Sequence, residues 1–273
     1  MQSTATTRSA FLCPASLAIF LLFGVERADA AGVPVAPVGQ IRVVGADSFV
    51  VIGGSSQQDI DEIPARGLGH FVQTLDTFAT ASNGTATFSS SQDSRIAPFG
   101  IEAELSTQSS STIVALGGFC YSVGNSSCQV TFDLAAPTSC RLLAALEAGA
   151  HGQVKLILSG PGGLVLSTTL VGDEELLRTT LDVPAGRYTL FASSFASTTL
   201  GPIGTQTDAS HLLLHFSTSG SPADLDLDGI VAASDLAELL GSWGPCETCP
   251  SDLDADGAVG PSDLAVLLGS WSA

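Results

Sequence analysis

Two stretches near the end of this 273-residue chain repeat each other at a constant offset of 28 residues, and no other feature limits its fold as tightly. The first places Asp224, Asp226, Asp228, Gly229, Ile230, Val231 and Asp235 ahead of Leu236, Leu239, Leu240 and Trp243. The second places Asp252, Asp254, Asp256, Gly257, Ala258, Val259 and Asp263 ahead of Leu264, Leu267, Leu268 and Trp271. A repeat this regular signals one supersecondary unit used twice.

The spacing of the acids suits a hard cation. Calcium takes about six to eight oxygen ligands, and a twelve-residue loop supplies them from positions 1, 3, 5, 7, 9 and 12, with glycine at position 6 for the sharp turn. Asp224, Asp226, Asp228 and Asp235 fill positions 1, 3, 5 and 12 of the first loop, and Asp252, Asp254, Asp256 and Asp263 fill them in the second. Ile230 and Ala258, at position 7, offer backbone carbonyls. Ala232 and Gly260, at position 9, have no side-chain oxygen, so water is expected at that corner. Magnesium fits less well, because it gives up its own waters reluctantly. The sequence therefore predicts two calcium ions. Val231 and Val259, at position 8, are expected to turn inward and pack the loops together. After each loop the apolar residues fall at i, i+3, i+4 and i+7, one face of a two-turn helix, with Ser234 and Ser262 as expected N-caps. Helices this short are unstable alone, so folding and metal binding should be coupled.

This arrangement resembles the dockerin family, whose members carry two calcium loops each followed by a helix. The resemblance covers Asp224 to Trp271. It implies docking to a cohesin-like module, or another extracellular protein module, on a second secreted or surface protein. In cellulosomal dockerins, loop positions 10 and 11 help select the partner. Here they are Ala233-Ser234 and Pro261-Ser262, a departure from the usual hydroxyl pair. The Trp-ended helices and Gly244-Pro245-Cys246 are similar to GC-type dockerin-anchored proteins of secreted bacterial proteomes.

Charge separates this tail from the rest. The net formal charge is −18, and the chain has a single lysine, Lys155, so phosphate backbones would be repelled and nucleic acid is excluded as a partner. From Gly220 onward there are eight Asp, two Glu and no Lys or Arg. Residues 218–223 read as a small uncharged linker between that tail and the segment before it. Residues 32–217 read as all-β, a β-sandwich or jelly roll followed by the small α module. Apolar or alternating runs lie at Gln40–Val43, Ser111–Leu116, Gln129–Leu134, Gln153–Leu158, Leu164–Leu170, Arg187–Ala192 and Leu212–Phe216. Turn signals stand at 159–163, 172–174 and 184–186. Abundant Ser and Thr are expected on the solvent faces of these strands. Leu142–Ala150 fits a short helix or a strand, its neighbours favouring a strand. The segment from Cys128 to Phe216 loosely resembles accessory sandwich modules of secreted bacterial proteins.

At the N-terminus, Arg8, an apolar stretch from Phe11 to Val25 and Ala28-Asp29-Ala30 read as a secretory signal peptide, residues 1–30, with an uncleaved anchor as the alternative. No later segment has an uninterrupted apolar run long enough to span a bilayer. Export implies an oxidising compartment. Cleavage would leave five cysteines, an odd number. Cys246 and Cys249 are expected to form a local disulfide, since zinc lacks two further ligands nearby. Cys120 and Cys128 flank an expected loop and could pair across it, with Cys140 competing for either.

Weaker signals point to chemistry. His211 and His215 share a strand face and are read as ordinary strand histidines rather than metal ligands. Asp59, Asp61 and Glu62, and Asp173, Glu174 and Glu175, are acid clusters of the kind glycoside chemistry needs, but are expected to lie in solvated turns. No Gly-x-Ser-x-Gly elbow, His-Glu-x-x-His or phosphate loop occurs. The expectation is a secreted, non-enzymatic protein, extracellular or at the cell surface, with a structural or adhesive sandwich held by its calcium tail. The alternative is a polysaccharide-binding or polysaccharide-degrading component of an extracellular complex, the enzyme in that case a glycoside hydrolase.

Overall fold

Strict two-residue alternation, sustained far beyond the short runs visible in the sequence, builds this chain. The computed structural model describes residues 32–52, 55–65, 70–81, 83–201, 203–246 and 248–272. The segment 1–30, read above as a signal peptide and containing Cys13, lies outside the described residues.

Among the described residues, twelve strands form two six-stranded antiparallel sheets. They are β1 (Ala36–Ile52), β2 (Ser55–Ala65), β3 (Phe71–Ala81), β4 (Gly84–Ala97), β5 (Gly100–Ile113), β6 (Gly118–Leu134), β7 (Thr138–Ala148), β8 (Gln153–Gly160), β9 (Gly163–Leu170), β10 (Glu174–Val183), β11 (Gly186–Leu200) and β12 (Gly204–Ser217). Sheet A runs β2-β1-β6-β11-β8-β9 and sheet B runs β10-β7-β12-β5-β4-β3. β1 faces β3 and β4, β6 faces β4 and β5, and β11 faces β5 and β12, so the two sheets stack as a sandwich. The tail adds α1 (Ala233–Gly241), a two-residue strand β13 (Gly244–Pro245), its partner β14 (Ala258–Val259) and α2 (Pro261–Gly269). Among the described residues no helix is long and apolar enough to cross a membrane.

The mainly β class agrees with the reading of the sequence, and each apolar run lies in or overlaps a longer strand. Three expectations are corrected. The segment between Cys120 and Cys128 is continuous strand within β6, not a loop. At about 3.3 Å per residue, cysteines eight positions apart on one strand cannot pair. Cys120, Cys128 and Cys140 are free and buried, while Cys246 and Cys249 form a disulfide. Burial pushes the Cys140 thiol up to about 12, with Asp182 adding to the shift. Leu142–Ala150 belongs largely to β7, the strand that its neighbours favour. Asp59, Asp61 and Glu62 lie within β2 rather than a turn; Asp173 does precede β10 in an exposed turn, but Glu174 and Glu175 begin β10 itself, exposed.

Ser and Thr supply the third correction, because many point inward. The apolar core holds Phe132, Tyr188, Phe216 and the leucines of β5, β7, β8 and β12. Beside it runs a layer of buried hydroxyls bonded across the sheets: Thr107 to Ser194 at 2.8 Å, Thr198 to Ser109 at 2.7 Å and to Ser111 at 2.8 Å, and Ser48 to Thr77 at 2.8 Å. Side chains this small let the sheets approach, and each of these bonded hydroxyls has a partner that offsets its loss of water.

The segment 218–223 is not a free tether. Thr218 and Ser219 are buried, and Thr218 N–H donates to the Phe99 carbonyl at 2.7 Å. Arg141 of β7 donates to the Ser221 carbonyl and to Ser217 Oγ. Sandwich and tail belong to one compact unit, 31–273.

Candidate metal centre

Each acidic loop winds around its own carboxylates. In the first, Gly229 N–H donates to Asp224 Oδ2 at 3.1 Å, Asp228 N–H to Asp226 Oδ1 at 3.1 Å, and Ile230 N–H to Asp228 Oδ1 at 2.8 Å. Asp235 reaches back from α1: its Oδ1 accepts Leu225 N–H at 2.6 Å and Asp226 N–H at 3.2 Å, and its Oδ2 accepts Ala232 N–H at 2.7 Å. The second loop repeats this, with Asp263 accepting Leu253, Asp254 and Gly260 N–H at 2.7, 3.2 and 2.7 Å. Gly257 N–H donates to Asp252 Oδ2 at 3.3 Å.

The backbone is duplicated as closely. Gly229 and Gly257, at position 6, have φ of 94° and 90°, a left-handed conformation that glycine adopts without penalty. Leu227 and Ala255, at position 4, have φ of 61° and 62° and are the non-glycine residues with positive φ among the described residues. Such strain costs about 1–3 kcal/mol per residue and persists where surrounding structure enforces it.

The structure brings carboxylate oxygens of Asp224, Asp226 and Asp235 within 4.8 Å of one another, and likewise those of Asp252, Asp254 and Asp256. Asp228 stands outside the first triple and Asp263 outside the second. Ile230 is exposed, and Ala258 sits in β14 opposite Pro245. Asp224 is 1% exposed, and no group among the described residues completes a hydrogen bond to its Oδ1. Burial pushes its carboxyl up, Ser219 and the Gly229 N–H offset part of this, and Asp235 and Asp226 add repulsion. A buried carboxylate oxygen with an open lone pair, beside two further acids, fits a cation. At Asp263 burial likewise raises the carboxyl, but its backbone N–H donors outweigh that and hold it below the usual range.

Val231 and Val259 are buried in one cluster with Leu239 and Leu267. The halves cross over. Val259 pairs with Gly244, just beyond α1, while Val231 exchanges bonds with Ser272, just beyond α2, at 2.9 and 3.1 Å. The N-caps are Ala232 and Gly260, with Asp235 and Asp263 taking their N–H groups, so Ser234 and Ser262 lie inside the helices instead. The expected apolar helix face is only half buried: Leu239 and Leu267 are inside, but Leu240, Trp243, Leu268 and Trp271 are exposed.

Sequence reasoning missed a second polar site, because its residues come together only through sheet pairing. Between the tail and the outer face of sheet B lies a cleft of about 450 Å³, lined among others by His70, Arg95, Glu102, His215 and Glu238. Burial opposes the charge of Glu102, yet His215 at 3.2 Å and Arg95 at 2.9 Å hold its carboxyl low. Burial, reinforced by Glu102, pushes Glu238 of α1 the other way. His211 pairs with Glu104 at 3.1 Å, so the two strand histidines each face a carboxylate on β5.

No protein family and no curated protein matches the chain. Solved structures give faint likenesses. A bacteriophage CBA120 tailspike protein 4 domain has TM-score 0.19 and 12% identity over 49% of this chain, which spans 19% of it. A structure of infectious bursal disease virus, Gx strain, has TM-score 0.19 and 10% identity over 70% of this chain and 57% of that one. A GH31 alpha-xylosidase from Xanthomonas citri has TM-score 0.15 and 11% identity over 73% of this chain and 39% of its own. Similarity this low informs neither fold nor function.

Proposed function

We propose that this is a secreted, non-enzymatic protein whose dockerin-like tail binds two calcium ions and anchors a structural or adhesive β-sandwich to a cohesin-like or other extracellular protein module. The observation that carries the reading is the buried Asp224 carboxylate with an unpartnered Oδ1, set in a loop whose acids and left-handed turns recur in the second copy. Asp224, Asp226, Asp228, the Ile230 carbonyl and Asp235 would hold one ion. Asp252, Asp254, Asp256, the Ala258 carbonyl and Asp263 would hold the other. Bound calcium would neutralise half of the four carboxylate charges in each loop. The outward Leu240, Trp243, Leu268 and Trp271 give the helices an apolar face for a partner. Pull-down from the extracellular fraction with the full chain is expected to recover a partner in calcium and lose it in chelator. Equal recovery in both conditions would sink metal-dependent docking.

The cleft favours a second reading, a polysaccharide-binding or polysaccharide-degrading component. Glu102 and Glu238 are driven in opposite directions, as an acid and base pair requires. This reading requires polysaccharide cleavage or binding that Glu238→Gln abolishes, and it fails if neither is detected.

A further inference from the structure

We propose that the calcium tail is also a strap on the chain's own sandwich: the loops dock on sheet B and its β4–β5 turn through Phe99, Arg141 and Arg178, and calcium keeps the strap closed. This rests on the calcium reading above.

The grips fall on loop positions whose shape an ion would fix. At position 4 of the first loop, the Leu227 carbonyl accepts Phe99 N–H at 3.0 Å. The Leu227 side chain is fully buried against Gly100, where a Cβ would come within 2.5 Å of Leu227 Cδ1 and 2.3 Å of the Phe216 carbonyl. At position 6, a Cβ on Gly229 would lie 2.3 Å from the Phe99 ring, so ring and turn are in direct contact. At position 1 of the second loop, Arg178 of β10 donates to the Asp252 carbonyl at 2.9 Å and to Asp252 Oδ2 at 3.3 Å. Arg141, on the adjacent strand β7, holds Ser221 at the entry to the tail; burial lowers its guanidinium to about 10 while Asp224 favours its charge.

The tail has no Lys or Arg of its own, and these two arginines, together with Arg95 beside Glu238 and Asp226, are basic groups that the sandwich presents to it. Four acids crowded in each loop repel one another, and a loop that opens for lack of a cation carries Leu227, Gly229 and Asp252 away from their seats. Linkage makes this reciprocal: a sandwich that grips the closed loop also favours calcium binding. The seat is easy to leave. Hollows of about 450 and 320 Å³ lie between tail and sheet, so the contact is a set of grips rather than a filled apolar interface. An outside partner is left the exposed Leu240, Trp243, Leu268 and Trp271.

Small-angle scattering and limited proteolysis of the full chain, in calcium and in chelator, test the strap. In calcium the chain should be compact and 217–223 resistant to protease. In chelator the radius of gyration should grow, and cleavage there should accelerate on the order of tenfold or more. Arg178→Gln, a surface change, and Phe99→Ala should loosen the tail in calcium while calorimetry still counts two ions. Equal protection in calcium and chelator would overturn the strap. So would a tail released in both conditions with two ions bound, which would leave the calcium reading standing. No bound ions would overturn both.

Discussion

Asp235→Asn is expected to silence the first of the two proposed calcium loops and destabilise the tail, although the substitution changes one heavy atom. Asp235 accepts three backbone N–H groups, two on Oδ1 and one on Oδ2. An amide has only one accepting oxygen. Whichever way it turns, its NH2 faces a backbone donor, and at least one buried N–H loses its partner, at about 1–3 kcal/mol. The loop also loses a quarter of its carboxylate charge. Calcium affinity at that loop should fall on the order of a hundredfold. Calorimetry at low micromolar protein should then count one ion where two are expected for the parent. The linked stabilisation goes with it: an ion present at about 1,000 times its dissociation constant adds about 4.1 kcal/mol. Asp263→Asn should do the same to the second loop. Two ions bound with parental affinity in either variant would contradict the proposed role of position 12.

Phe132→Ala is the corresponding test of the sandwich. Phe132 is fully buried between the sheets, its ring centroid 5.9 Å from Tyr188 and 5.6 Å from Phe216. Removing the ring forfeits burial and leaves a cavity that two stiff sheets cannot close, at about 3–5 kcal/mol. A domain is stable by only about 5–15 kcal/mol. Urea unfolding should show the midpoint falling steeply with the slope unchanged. A loss below about 1 kcal/mol would mean that this cluster is not the centre of the core.

The tail was legible because its signals are local. The spacing of the acids, the position-6 glycines and the paired valines are all read within twelve residues, and the structure shows close Asp triples that omit Asp228 and Asp263, left-handed turns and one shared cluster. Ser234 misled as a cap because Asp235 already takes the N–H that a cap would satisfy. In the sandwich the class was legible and the extent was not. β4 and β5 are rich in Ser and Thr, so half of their alternation is polar on polar. Hydropathy cannot tell an inward serine such as Ser109, bonded to Thr198, from an outward one. The same blindness turned the Tyr121–Ser127 run into an expected loop. The cleft was invisible for another reason: Glu102, His215 and Glu238 are far apart in sequence and meet only when β5 pairs with β12 and α1 lies over them.

Isothermal calorimetry of calcium into the full chain, pre-treated with chelator and desalted, tests the central claim most directly. Two ions per chain are expected, falling to one in Asp224→Ala, which removes the buried carboxylate with the open oxygen. A parent chain that binds no calcium would contradict the account, and so would an Asp224→Ala variant that still binds two.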